Sequence, residues 1–89
     1  MNEQQIKTAI EARVQISKDK RYGIWTIGIT DNPVRRQTEH DDEGKNTRYW
    51  LSWMADSEAI ARNVEAFFIE RGMKGGIGGD TNGNFVYIF

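Results

Sequence analysis

The chain is short and nearly neutral: it has 89 residues, 38% of them hydrophobic and 11% aromatic, with 12 basic and 13 acidic side chains. This length accommodates one small domain, and the apolar content exceeds that of a disordered segment. The formal charge of −1 removes the overall attraction to phosphate that most tight nucleic-acid binders use. Any contact with nucleic acid must therefore come from a local patch.

Cysteine content and targeting signals bear on the cellular setting. The chain has no cysteine, which excludes a disulfide framework and a thiolate metal site. It shows neither a signal-peptide pattern nor an apolar run long enough to cross a bilayer. We therefore expect a cytoplasmic protein without membrane association.

The first half of the chain predicts a helix, a hairpin and a second helix. Asn2 is suited to cap a helix over residues 3–12, in which apolar positions recur at helical spacing. Residues 13–17 alternate in polarity and residues 21–30 follow a polar turn, so the two segments predict a β-hairpin. Asp31 or Asn32, followed by Pro33, then predicts the start of a helix over residues 33–41.

The second half predicts a strand, a helix, a loop and a closing strand. Residues 47–55 are rich in aromatic and β-prone side chains. Either Asp56 or Ser57 caps a helix with a strong apolar stripe, which ends at the glycine that opens a glycine-rich loop over residues 72–83. Residues 85–89 form the final strand.

These elements predict one α+β domain over residues 1–89, in the order αββαβαβ. We expect a mostly antiparallel sheet of three to four strands with helices packed on it. The strand over residues 21–30 has two different faces. Its apolar face should pack on helices, and its other face should carry functional residues. The apolar face comprises Trp25, Ile27 and Ile29, and the other face includes Thr26, Gly28 and Thr30.

The segment TIGITDNPVRRQTEH, from Thr26 to His40, carries the strongest functional signal. Arg36 and His40 are separated by one helical turn, so both project from the same face of the predicted helix. A cation and an imidazole beside a strand end are suited to binding a phosphate. An ordinary solvated face, with Arg35 paired to Glu39, explains the same spacing, and this alternative stays open.

The same segment resembles the second half of the GIY-YIG endonuclease signature. In that family a strand reading YIG-x-T leads through a turn into a helix of the form R-x-x-x-H. Thr26 and Arg36 reproduce the spacing between the first position of YIG and the arginine. The family's glutamate helix reads A-x-x-x-E, followed by aromatic residues and an isoleucine. It is matched by Ala61, Glu65 and Ile69.

The resemblance implies a GIY-YIG-like fold and a predicted catalytic set of Arg36, His40 and Thr26. Glu65 would bind a divalent metal, Mg²⁺ or Mn²⁺, if the protein is active, and Arg36 would offset charge on the phosphate. His40 or a tyrosine would prepare the attacking water. Thr26 replaces one signature tyrosine, and the other tyrosine position also lacks a phenol. We therefore expect a catalytically degenerate relative that retains nucleic-acid binding, or a weak metal-dependent nuclease.

Two classes of partner remain open from the sequence. Arg35, Lys45 and Arg48 form a basic cluster with Arg36 and are the predicted nucleic-acid contacts. The alternative is a protein-interaction or structural module with no nucleic-acid role, which would use the Trp-rich strand and the glycine loop. An exposed basic cluster would favour nucleic acid, and an exposed apolar patch would favour protein. The GGIGGD run lacks the ending of a phosphate loop and leads into a strand, so we predict a structural loop there.

Overall fold

Three helices surround a four-stranded sheet in the part of the chain that the computed structural model describes, residues 1–75 and 83–89. The predicted α+β class is confirmed. The elements in chain order are α1 (Glu3–Gln15), a 3₁₀ turn (Tyr22–Ile24), β1 (Thr26–Thr30), α2 (Pro33–Asp42), β2 (Leu51–Met54), α3 (Glu58–Glu70), β3 (Lys74–Gly75) and β4 (Phe85–Ile88).

The sheet is mixed, with the strand order β2-β4-β1-β3 among the described residues. Strand β4 runs antiparallel to both β1 and β2, whereas β3 runs parallel to β1. Thr26 and Phe89 exchange two main-chain hydrogen bonds, with N···O distances of 2.7 and 3.0 Å. The pairing of β1 with the end of the chain therefore continues one residue beyond β4.

Helices α1 and α3 pack on one face of the sheet and enclose the hydrophobic core. The expected parity of β1 is confirmed, because its odd-numbered residues face this core and pair with Val86 and Ile88 of β4. Burying such side chains stabilises the fold by about 1.5–3 kcal/mol each. The helices contribute Ile6, Ile10 and Val14 from α1 and Ala61, Val64 and Phe68 from α3.

Each helix begins at the cap that the sequence predicts. Asn2 and Gln5 form a reciprocal capping box in which each side chain accepts the other's main-chain N–H at 2.8 Å. The side chains of Asn32 and Ser57 accept main-chain N–H groups in the first turns of α2 and α3. Gly72, just past α3, has a φ of +114°, which suits a C′ glycine.

The predicted hairpin between residues 13–17 and 21–30 is wrong. Residues through Gln15 continue α1, because Val14 extends the buried stripe of Ile6 and Ile10 by one more helical turn. Ile16, which the alternating pattern predicts as a strand residue, is 78% exposed. Local alternation over five residues could not outweigh an apolar repeat that spans the whole helix.

Further boundaries differ from the prediction. The strand predicted over residues 47–55 is shorter, because only Leu51–Met54 form β2. Residues 47–50 form a turn instead, in which the Trp50 N–H donates to the Thr47 carbonyl at 3.0 Å.

The chain forms a 3₁₀ turn before β1, which places the Tyr22 ring 5.7 Å from Phe68 of the core. Lys74 and Gly75, predicted as loop, form β3 instead. The order of elements is therefore α, β, α, β, α, β, β rather than αββαβαβ. The rest of the predicted glycine loop, residues 76–82, lies outside the described residues.

None of the helices in the described part of the chain has the length and apolar character needed to span a bilayer.

Candidate functional site

Helix α2 covers the second face of the sheet, and its two predicted site residues meet one tyrosine there. Arg36 is 3% exposed and His40 is fully buried. The Tyr87 hydroxyl of β4 lies 3.4 Å from Arg36 Nε and 3.1 Å from His40 Nε2. The expectation that Arg36 and His40 share a helix face is confirmed. Sequence reasoning missed Tyr87, which comes from the far end of the chain.

A glycine in β1 makes room for this tyrosine. Gly28 is the cross-strand partner of Tyr87 in the register of β1 and β4. A Cβ at position 28 would overlap the phenol ring of Tyr87. A glycine inside a strand often marks such a close approach, so Gly28 is the sequence signal that could have revealed a bulky neighbour.

Aromatic rings close over this meeting point. Trp50 stacks on Tyr87, with ring centroids 4.4 Å apart and planes inclined by 12°. The Phe89 ring lies 4.6 Å from the His40 ring and 5.5 Å from the Trp50 ring. We call His40, Trp50, Tyr87 and Phe89 the aromatic cluster. Arg36 and His40 therefore lie within the protein instead of on an open surface.

A hydrogen bond to Tyr87 and the carboxylate of Glu39 stabilise the charge of the buried Arg36 side chain. Burial alone would lower the pKa of the guanidinium, but its hydrogen bond to Tyr87 and the carboxylate of Glu39 outweigh burial and raise it. The Glu39 carboxylate lies 3.3 Å from Arg36 Nη1. Arg36 thus stays cationic at any ordinary pH.

His40 is kept neutral by its surroundings. Burial is the main cause that lowers the pKa of the imidazole, followed by the positive charges of Arg36 and Lys45. Lys45 Nζ lies 3.3 Å from His40 Nδ1. The ammonium group can only donate to Nδ1, whereas the Glu43 carboxylate can only accept from it, so Nε2 donates to the Tyr87 oxygen in one tautomer of the ring and accepts from it in the other. The Glu43 carboxylate lies beside both groups, 3.3 Å from Nδ1 and 3.6 Å from Lys45 Nζ.

Glu65 does not join Arg36 and His40, and the predicted convergence of these three residues is wrong. Helix α3 packs on the core face of the sheet, opposite to α2, through Ala61 and Val64 among others. Glu65 follows the buried stripe of α3 and is half-buried, which raises the pKa of its carboxyl group, while Arg62 opposes this rise. Residues 1–75 and 83–89 contain no group of three or more histidine or carboxylate side chains placed to hold a metal ion.

A groove of about 610 Å³ opens beside the aromatic cluster, at the end of the sheet where β1 begins. Its floor crosses three strands, because Thr26 lies between Phe89 and Lys74. The segment between α2 and β2 forms a wall. The described lining comprises two lysines, polar and apolar side chains and no acidic residue: Ile24, Trp25, Thr26, Lys45, Asn46, Tyr49, Lys74, Gly75 and Phe89. This volume is typical of ligand-binding clefts.

Arginines adjoin the aromatic rim of the groove. Tyr49 is 52% exposed, and the guanidinium carbons of Arg13 and Arg48 each lie 5.6 Å from the centroid of its ring. Arg13 is also 5.2 Å from the ring of Trp25. These distances fall in the range of cation–π contacts. The rim therefore combines positive charge with an accessible aromatic surface.

The predicted nucleic-acid contacts fall in different places. Lys45 lines the groove and Arg48 adjoins it through Tyr49. Arg35 lies on α2, where it forms ion pairs with Asp31 at 2.9 Å and Glu39 at 3.1 Å. Thr26 of the predicted catalytic set lies in the floor, and Lys74 was missed because its strand was taken for a loop.

Comparison with protein-family models, with curated proteins and with solved structures finds no match.

We expect His40 to make stability depend on pH. Because the pKa of folded His40 is lowered, the unfolded chain binds a proton below about pH 6.5 that the folded chain does not. The free energy of unfolding should then fall as the pH drops from 6.5 toward the folded pKa, by at most about 1.4 kcal/mol per pH unit. Urea unfolding of the wild type and of His40→Gln measures this dependence.

His40 is the only histidine in the chain, so the difference between the two proteins isolates its titration. The variant should lose less stability over this pH range. An identical pH dependence in both proteins would contradict the assignment of His40 as a buried neutral imidazole.

The half-buried carboxylate of Glu65 should cost stability at neutral pH. Its pKa is raised in the folded state, so stability is greatest below the unfolded pKa and is lost as the pH rises through the folded pKa. Glu65→Gln should therefore raise the Tm at pH 7, and this gain should vanish near pH 4. If Mg²⁺ or Mn²⁺ raises the Tm of the wild type but not of Glu65→Gln, Glu65 is a metal ligand after all.

Proposed function

We propose that this domain binds nucleic acid through the groove, and that Arg36 and His40 support the groove from inside. The proposal depends on which residues line the groove in the described part of the chain. Two lysines and exposed or half-exposed aromatic side chains line one cleft that contains no described carboxylate. Nucleic acids present the complementary pair of features, anionic phosphates and flat bases.

Because the net charge of the chain is −1, attraction to phosphate must come from local positive charge. Lys45 and Lys74 are both exposed and lie within the groove, and Arg13 and Arg48 lie around Tyr49 at its rim. The ion pair of Lys45 with Glu43 is long and exposed, at 3.6 Å, so it costs little to exchange for a phosphate. Four phosphate contacts would give a slope of about −3 to −4 in log K against log salt for duplex DNA.

Catalysis receives less support from the geometry than binding does. Arg36 and His40 are buried, with the His40 ring against those of Trp50 and Phe89, and Glu65 belongs to a helix on the opposite face. A descent from GIY-YIG nucleases, with the segment of Arg36 and His40 reused for packing, would agree with this arrangement. Robust Mg²⁺-dependent plasmid nicking that disappears in Glu65→Ala would instead support a nuclease.

A protein-binding role is the second candidate. Strand β2 pairs only with β4 among the described residues, so it is an edge strand. Leu51 and Met54 of this strand are 38% and 54% exposed. An exposed apolar edge can accept a strand from another protein. Such binding would not depend on the lysines of the groove.

Replacing both groove lysines should weaken nucleic-acid binding. We expect Lys45→Gln combined with Lys74→Gln to lower affinity for a labelled oligonucleotide and to reduce the magnitude of the salt slope by about 1.4–1.8, because two phosphate contacts are lost. Fluorescence anisotropy over a series of salt concentrations measures both quantities.

Arg62→Gln is a single-charge control, because it removes one positive charge from α3, and Arg62 is not among the described residues that line the groove. Its affinity and salt slope should stay close to the wild type. Wild-type binding that ignores salt, or that survives the double substitution unchanged, would contradict the proposal and favour the protein-binding role.

A further inference from the structure

We infer that the groove accepts an unpaired nucleotide of a single strand, with its base against Tyr49 and its flanking phosphates at Lys45 and Lys74. This inference rests on the proposed function and narrows it to single-stranded nucleic acid.

The two lysines lie on opposite sides of the groove floor. Lys74 belongs to β3, on one side of Thr26. Lys45 is tied to the other side, because its ammonium group contacts His40, whose ring packs on Phe89. Cations on either side of the floor formed by Thr26 and Phe89 suit the consecutive phosphates of one strand, with the nucleoside between them.

The aromatic surface requires a base whose flat face is accessible. Tyr49 is more than half exposed, and the neighbouring guanidinium groups of Arg13 and Arg48 offer further planes for stacking. In a duplex both faces of each base are covered by the base stack, so a base could reach Tyr49 only by flipping out, at a cost in unstacking and unpairing. A single strand presents its bases without that cost.

The small number of positive charges in the groove also favours a single strand. Two phosphate contacts inside the groove correspond to a salt slope of only about −1.4 for a single strand. The chain as a whole has a formal charge of −1, so it adds no long-range attraction. Phosphate contacts alone would therefore bind weakly, and base stacking must supply much of the affinity.

The test compares strands and duplex on the full chain. Labelled oligothymidylate and oligouridylate of equal length are titrated by fluorescence anisotropy, and so is the duplex of the same oligothymidylate with its complement. We expect the affinity for each single strand to be at least about tenfold higher than the affinity for the duplex. This comparison uses only the wild-type protein, so it does not depend on how any variant folds.

Substitution of Tyr49 tests the stacking directly. Tyr49→Leu should weaken single-strand binding about tenfold, because stacking on an aromatic side chain is lost. Tyr49→Phe keeps the ring and should bind within about twofold of the wild type. Val34→Ala is the control for loss of an exposed apolar side chain, since Val34 lies on α2, is 74% exposed and is absent from the described lining of the groove.

The outcomes separate this inference from the function on which it rests. Duplex binding as tight as single-strand binding, together with an unaffected Tyr49→Leu variant, would overturn the inference. If the lysine double variant still weakened binding in that case, the nucleic-acid function would stand. If neither the single strands nor the duplex bound, both the single-strand inference and the proposed nucleic-acid function would be overturned.

Discussion

The second face of this sheet depends on the meeting of Arg36 and His40 with the Tyr87 hydroxyl, in the space that Gly28 leaves open. Burying a guanidinium, an imidazole and a phenol would be costly if each lost its hydration without a partner. Here the three groups satisfy one another. Helix α2 can therefore lie on the sheet with polar residues at positions where a helix usually presents apolar ones.

This buried contact also determines the shape of the groove. His40 touches Lys45 and packs on Phe89, and both of these residues line the groove. Trp50, which stacks on Tyr87, follows directly after Tyr49 of the rim. The buried contact of Arg36, His40 and Tyr87 thus positions residues that line or border the groove. The pair on α2 packs inside the protein, and His40 connects it to Lys45 and Phe89 of the groove.

Local features were predictable from the sequence, and long-range pairings were not. Caps, helix starts and the two faces of β1 depend on residues close together in the chain, and the sequence indicated them correctly. The partner of Arg36 and His40 could not be found in this way, because Tyr87 reaches them only through the antiparallel pairing of β4 with β1. The face occupied by Glu65 depends on the path of the chain from β2 into α3. Lys74 joined the groove only because β3 pairs with the opposite edge of β1.

The most direct test of the account is a titration of the ¹⁵N-labelled protein with oligothymidylate, followed by two-dimensional NMR of the backbone amides. The largest shift changes should occur at residues 24–26, 45–49 and 74–75 and at Phe89, which border the groove. Amides in the middle of α1 and α3 should change little. Shift changes concentrated on α1 and α3, or along β2 alone, would contradict the account, because they would place the binding surface away from the groove that the Tyr87 contact supports.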